Sequence, residues 1–310
     1  MQTNNRRIFR QTFVMRLLKI LAAVTLMGSC KAQNNAPSLP IQKDDNTLLW
    51  EVSGNGLAKP TYLFGTFHLI CKDDIHFSSS LNTAVKYADE IYMELDMDDP
   101  SVMLGGMMMM NMKNGKKLRD LYTADEYDRL NNYFKDSIGM PLTLLQQMKP
   151  MMLEALLYPK MLACKNSSGV EMELMQLAKK EKKEIKGLET MAFQASIFDS
   201  IPYEQQAKEL LKTIDSVVSY KEYFDTMLNV YKSQRISEIE TMFSKSEFGM
   251  EDNSDILLYD RNKNWVKQLK EIMKHKSVFV AVGAGHLVGE KGLIGLLKKE
   301  GYTVRPVENK

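Results

Sequence analysis

The sequence predicts an α/β fold: a central mixed β-sheet formed from both ends of the chain, flanked by helices, with a large helical insertion between. Three observations predict it. Short apolar runs of strand character lie near both ends, at 47–52, 62–64, 91–95, 277–282 and 302–307. The stretch from about 100 to 275 reads mostly as amphipathic helices. An apolar strand ending in Gly-x-x-His occurs once on each side of that stretch. Composition agrees with a folded globular protein. The 310 residues are 44% hydrophobic and 26% charged with 17 Gly and 9 Pro, which excludes collagen-like and disordered classes.

Residues 1–29 carry Arg6, Arg7, Arg10, Arg16 and Lys19 and no acid, and then an apolar run over 17–27. That run is shorter than the ~20 residues a membrane-spanning helix needs, so the segment reads as a secretory signal peptide. Gly28-Ser29-Cys30 resembles a bacterial lipoprotein cleavage box, with Met27 where Leu is usual. The expectation is a chain lipidated on Cys30 and anchored to the membrane of the bacterial cell envelope, periplasmic or surface-facing. An ordinary cleaved signal with Cys30 incidental is the alternative. The polar, Pro-punctuated residues 30–46 suit a flexible tether, and one α/β domain is expected over 47–310.

The domain opens with strands at 47–52 and 62–64, the latter running into Gly65-Thr66-Phe67-His68. A helix is expected over 80–89, with Leu81, Ala84, Val85 and Ala88 at helical spacing, before a strand over 91–95. Within the insertion, Thr123-Ala124-Asp125-Glu126 reads as a capped helix start and Pro150 as the head of a helix over 151–163. A further helix over 169–183, a short strand over 184–189 and long helices over 203–243 and 254–275 follow. The chain closes with a buried strand at 277–282, a helix near 291–300 and a strand at 302–307.

Met103, Met107, Met108, Met109, Met110 and Met112 crowd one predicted helix. Thioethers adapt to irregular cores, which is the reading adopted; a peptide- or membrane-facing lid is the alternative. Four consecutive methionines cannot all face one ion, which argues against copper. Cys71 and Cys164, the other cysteines besides Cys30, form either one bridge or two buried thiols.

The formal charge is +2, but removing the five N-terminal cations leaves 36 basic residues against 39 acidic ones. Such a surface has no basic field for phosphates, so nucleic-acid binding is excluded. A site built on imidazole has four choices: His68, His76, His275 and His286. His76 and His275 lie in polar loop and helix-end contexts and read as surface residues. His68 and His286 share the Gly-x-x-His frame after apolar strands, and the carboxyl ends of strands are where open α/β sheets form ligand crevices. Gly65 and Gly283 remove the Cβ that would block close approach there. Glu94, in Met93-Glu94-Leu95-Asp96, adds a carboxylate at a third strand end. Two imidazoles and one carboxylate are the ligand count of a catalytic divalent-metal site, and such a metal acidifies water for hydrolysis.

Tyr62-Leu63-Phe64-Gly65-Thr66-Phe67-His68, Met93-Glu94-Leu95-Asp96, Gly187-Leu188-Glu189-Thr190, Arg261-Asn262 and Val282-Gly283-Ala284-Gly285-His286-Leu287-Val288-Gly289 stand in this order, followed by Gly292-Leu293 and Gly301-Tyr302-Thr303-Val304. In this order they resemble the TraB/GumN family, which includes the Tiki metalloproteases and is more distantly related to erythromycin esterases and haem-binding ChaN lipoproteins. The likeness runs from about 47 to 308. It implies a mixed sheet flanked by helices with the motifs meeting in one cleft. It also implies that His68, Glu94 and His286 bind a divalent metal, manganese or cobalt by resemblance with zinc an alternative, and that the substrate is a peptide or protein. Glu189 and Arg261 match further family positions; a second carboxylate ligand or general base, and a guanidinium clamp, are the roles chemistry suggests for them. The expected function is a lipid-anchored, metal-dependent hydrolase of the cell envelope. The alternatives are a non-catalytic haem- or iron-binding lipoprotein of ChaN type, with histidine as axial ligand, and a structural envelope lipoprotein.

Overall fold

A computed structural model describes residues 36–244 and 253–310. The signal segment and Cys30 lie outside the described residues. Six strands form one sheet in the order β6-β4-β7-β2-β1-β8: β1 (Leu49–Ser53), β2 (Thr61–Thr66), β4 (Glu90–Met93), β6 (Ile185–Gly187), β7 (Val278–Gly283) and β8 (Thr303–Pro306). A two-stranded sheet pairs β3 (Ile70–Cys71) with β5 (Ser167–Ser168). In the larger sheet β1 runs antiparallel to β2 and β8, whereas β2, β7, β4 and β6 run parallel. Both ends of the chain therefore meet in one mixed sheet with helices around it, as the periodicity predicts.

The parallel strands are apolar because both of their faces are covered. Tyr62, Leu63, Ile91, Phe279, Val280 and Val282 are fully buried. Parallel alignment also brings the carboxyl ends of β2, β7, β4 and β6 to one edge. There they deliver, in turn, His68, His286, Glu94 and Glu189.

The helices in chain order are α1 (Ser79–Tyr87), α2 (Pro100–Met109), α3 (Ala124–Tyr133), α4 (Pro150–Ala155), α5 (Tyr158–Met161), α6 (Val170–Lys180), α7 (Met191–Ser200), α8 (Tyr203–Asp215), α9 (Val217–Lys232), α10 (Ile236–Ser244), α11 (Asp260–Met273) and α12 (Leu293–Lys299). Thr123 caps α3 in a capping box with Glu126, as its sequence suggests. The helix expected over 151–163 is two short ones, because Pro159 has no N–H to carry the ladder onward. The single helix expected over 203–243 breaks twice. Ser216 leaves helical dihedrals (φ −117°, ψ 31°), and Gln234 adopts φ 56°. The second break is compensated by tertiary bonds: the Gln234 side chain accepts from the Leu48 N–H at 3.1 Å and from Asn309 Nδ2 at 3.0 Å.

The polar segment expected as a tether over 30–46 docks on the sheet in its second half. Leu39 is buried, Ile41 bridges Val307, and the Gln42 N–H donates to the Pro306 carbonyl at 3.2 Å. Among the described residues no helix is long and apolar enough to cross a membrane.

Cys71 and Cys164 are joined, with Cα atoms 5.8 Å apart and a sequence separation of 93. The bridge fastens the β3–β5 pair, which follows directly on His68. Replacing both cysteines by serine is expected to cost about 3 kcal/mol, chiefly by releasing a long loop in the unfolded chain. At ~2–4 °C per kcal/mol for a domain of this size, the melting temperature should fall by roughly 6–12 °C. A doubly substituted chain melting with the wild type would show that the bridge carries no stability.

Candidate functional site

His68, Glu94 and His286 come from three neighbouring strand ends and surround one notch. Gly283 leaves that notch open: a Cβ there would stand 3.4 Å from Glu94 Oε1, 3.6 Å from His286 Cδ2 and 4.0 Å from His68 Nε2. Gly65 serves a different need. A Cβ on it would meet the Ala284 Cα at 3.1 Å, so its absence lets β2 pass close to the turn after β7. His76 and His275 are exposed.

The two imidazoles sit in opposite environments. His286 is buried, its Nδ1–H donating to Asn262 Oδ1 at 2.7 Å while Nε2 accepts from Arg261 Nη1 at 3.2 Å. Asn262 is fixed in turn by donating from Nδ2 to the Lys291 carbonyl at 3.0 Å. Burial pushes the His286 pKa down to about 3; the Glu94 charge opposes this without reversing it, so the ring is neutral at physiological pH. The His68 side chain is 76% exposed, and its Nδ1 lies 2.8 Å from Glu171 Oε1. Desolvation by the cleft opposes a charge on His68, but the hydrogen bond and carboxylate of Glu171, with Glu94 beyond, push its pKa up to about 9.

Glu94 is held from both sides. Oε1 accepts from the Gly283 N–H at 3.0 Å, and Oε2 accepts from Arg261 Nη2 at 2.6 Å and from Gln194 Nε2 at 3.3 Å. Burial disfavours its charge, yet the imidazoles when protonated, Arg261 and the Gly283 N–H hold the carboxyl well below the usual range. Glu94 Oε1 lies 3.7 Å from His286 Nε2.

Arg261 spends all of its N–H groups on protein acceptors. Nε and Nη2 grip Glu189, Nη2 also reaches Glu94, and Nη1 donates to the Leu257 carbonyl and to His286. Stacking on Trp265, with the guanidinium carbon 4.8 Å from the ring centroid, completes its enclosure. Glu189 is likewise nearly inaccessible, with 3% of its side chain exposed; burial raises its pKa against the pull of Arg261. In this arrangement Arg261 and Glu189 face each other and Arg261 also reaches Glu94 and His286 Nε2, which fits charge balance and support of the centre better than a substrate clamp or a general base.

Three residues at the centre go unmarked in the sequence reading: Glu171, Asn262 as a partner of His286, and Gln194. Asn262 adjoins Arg261 in a motif, so helical position could have signalled it. Glu171 reads from sequence as an ordinary first-turn acid on α6, and Gln194 as one polar residue of α7.

Among the described residues no three His, Cys, Asp or Glu side chains stand at metal-binding spacing. The chemistry of the donor set nevertheless fits a dication. Each imidazole has its Nδ1 tied to an acceptor outside the notch, the arrangement in which Nε2 serves as ligand. Glu94, Glu171 and Glu189 set three negative charges against those of Arg261 and protonated His68, and a dication would take the place of the His68 proton.

No solved structure gives a significant match to the chain. Among curated proteins it is similar to metalloprotease TIKI2 of Danio rerio, 22% identical with 94% of this chain and 67% of the relative covered. It is also similar to metalloprotease TIKI1 of Danio rerio (23% identical, 85% and 63% covered) and of Homo sapiens (21%, 87% and 64%). The chain thus spans about two thirds of the length of the relatives it matches. The model of the TraB/PrgY/gumN family matches residues 48–306, the whole span that builds the sheet and brings both Gly-x-x-His frames together, and the chain belongs to that family.

Proposed function

We propose that the protein is a metal-dependent hydrolase acting on peptide bonds, held at the cell envelope by a lipid on Cys30. The observation that carries the reading is the meeting of His68, Glu94 and His286 around the side-chain-free notch at Gly283. The name of the TIKI relatives, metalloprotease, supports the reaction class. The segment before residue 36 supports the anchor through its basic, apolar and Gly-Ser-Cys order.

His68 Nε2, Glu94 Oε1 and His286 Nε2 would hold the ion. A divalent metal bound there supplies Lewis-acid polarisation of a carbonyl and acidification of water. The chain's own residues do the rest. Arg261 and the Gly283 N–H keep Glu94 ionised at any physiological pH. Asn262 keeps the His286 proton on Nδ1. His286 gives up its Arg261 contact when its Nε2 takes another partner. The exposure of His68 places the open side of the notch next to that ring, where an extended substrate can approach.

Metal content and hydrolysis of a peptide library by the full chain test the reading. The wild type should retain Mn²⁺ or Co²⁺ and turn over peptides, and His68→Ala and His286→Ala should lose both. Equal metal content and turnover in all three proteins would discard it, and a Soret band on mixing with haemin, lost with either histidine, would favour a haem carrier instead.

A further inference from the structure

We propose that Glu171 is the positioning residue of His68, fixing the ring's rotation and its tautomer so that Nε2 presents a lone pair to the notch. The inference rests on the metal-site reading and adds to it a residue on which the sequence motifs are silent.

Glu171 stands in the first turn of α6, 103 residues beyond His68 in sequence, and is brought to it by backbone pairing. The β3–β5 ladder aligns Ile70 with Ser168 and Cys71 with Ser167. The Val170 N–H then donates to the Phe67 carbonyl at 3.0 Å. Gly169 lies so close that a Cβ would stand 2.7 Å from the His68 carbonyl oxygen. Glu171 Oε1 accepts from Thr66 Oγ1 at 2.6 Å and lies 2.8 Å from His68 Nδ1, so strand β2 itself aims the carboxylate.

Three features separate this from an ordinary surface pair. Only 16% of the Glu171 side chain is exposed, and among the described residues its ion-pair partner is His68 rather than a lysine or arginine. The His68 side chain, by contrast, is 76% exposed, and among the described residues its hydrogen-bond partner is Glu171. The two imidazoles are also matched to different acceptors, His286 to a neutral amide and His68 to an anion. An anionic acceptor on Nδ1–H raises the donor strength of Nε2 more than a neutral one does. The exposed imidazole thus receives the stronger support.

Co²⁺ titration of the full-length chain, followed by its visible absorption, and long-range ¹H–¹⁵N spectra of the metal-free chain at alkaline pH, test the proposal. Glu171→Ala should weaken Co²⁺ binding about 10–100-fold, the usual loss when such a partner is removed. It should also replace a single Nδ1–H tautomer of His68 by a mixture. Glu171→Gln, which keeps an acceptor but loses the charge, should hold the tautomer and bind with intermediate affinity. Glu173→Gln, two residues on and bonded to Ser168 and Lys72 instead, should match the wild type. Unchanged tautomer in Glu171→Ala, or unchanged Co²⁺ affinity beside a binding wild type, would overturn the assignment. A wild type that binds no Co²⁺ would overturn the metal reading, and the tautomer spectra would still decide Glu171.

Discussion

Alanine at Gly283 should leave the protein as stable as the wild type, or slightly more so, while divalent-metal binding and hydrolysis fall by about 100-fold or more. The backbone there has φ −49° and ψ 135°, a conformation open to any L-residue. The added methyl would meet its neighbours at 3.4–4.0 Å, ordinary van der Waals contact, so nothing has to move. Reduced freedom of the unfolded chain favours alanine by roughly 0.4–1 kcal/mol. The methyl nevertheless stands between Glu94 Oε1, His286 and His68 Nε2, in the space a shared ligand would occupy. A displacement of about 1 Å at a reacting centre costs on the order of 100-fold. Gly65→Ala offers the contrast. Its methyl would press on the Ala284 backbone at 3.1 Å, so it should lose about 1–3 kcal/mol of stability through overpacking. Thermal melts and Co²⁺ titrations on the two variants separate fold from site. A Gly283→Ala protein that loads metal normally would place the ion, if any, away from the notch.

The centre divides into what strand-end motifs reveal and what only tertiary pairing creates. His68, Glu94 and His286 each follow an apolar run and Glu189 a short expected strand, so a site at the carboxyl ends of strands was legible from the chain. Four histidines in the chain made the choice among imidazoles small. Glu171 is different in kind. An acid in the first turn of a helix is favoured by the helix dipole whatever its neighbours, so its residue type carries no message. Its meeting with His68 depends on a two-residue ladder, β3 with β5, that no periodicity can announce. Nor does sequence reveal that Arg261 is enclosed: a guanidinium in a motif reads as a substrate contact until every donor is seen to have a protein acceptor. Helix lengths failed for a similar reason. The turn at Gln234 is held by bonds to Leu48 and Asn309, far away along the chain.

Arg261→Met should therefore act first on the fold. The guanidinium balances Glu94 and Glu189, whose side chains are 14% and 3% exposed, and its loss takes the ion-pair partner from Glu189 and leaves Glu94 to the Gly283 N–H and Gln194. Removing one partner of a buried ion pair typically costs about 3–5 kcal/mol, or roughly 6–20 °C in melting temperature for a domain of this size. Arg261→Lys should recover little, because one ammonium cannot reach Glu189, Glu94, His286 and the Leu257 carbonyl together. The pH dependence distinguishes stranded charge from lost packing. Burial already raises the Glu189 pKa with Arg261 present, and loss of the guanidinium removes the pull that opposes it, so the folded chain binds more protons than the unfolded one as pH falls. Stability lost at neutral pH should then return as pH drops through that raised range, and the gap to the wild type should narrow toward pH 4.5. Adding Glu189→Gln to Arg261→Met should likewise restore part of the loss at neutral pH. A deficit that stays constant with pH and is untouched by the second substitution would mean that Arg261 supports the fold by packing on Trp265, not by balancing the two acids.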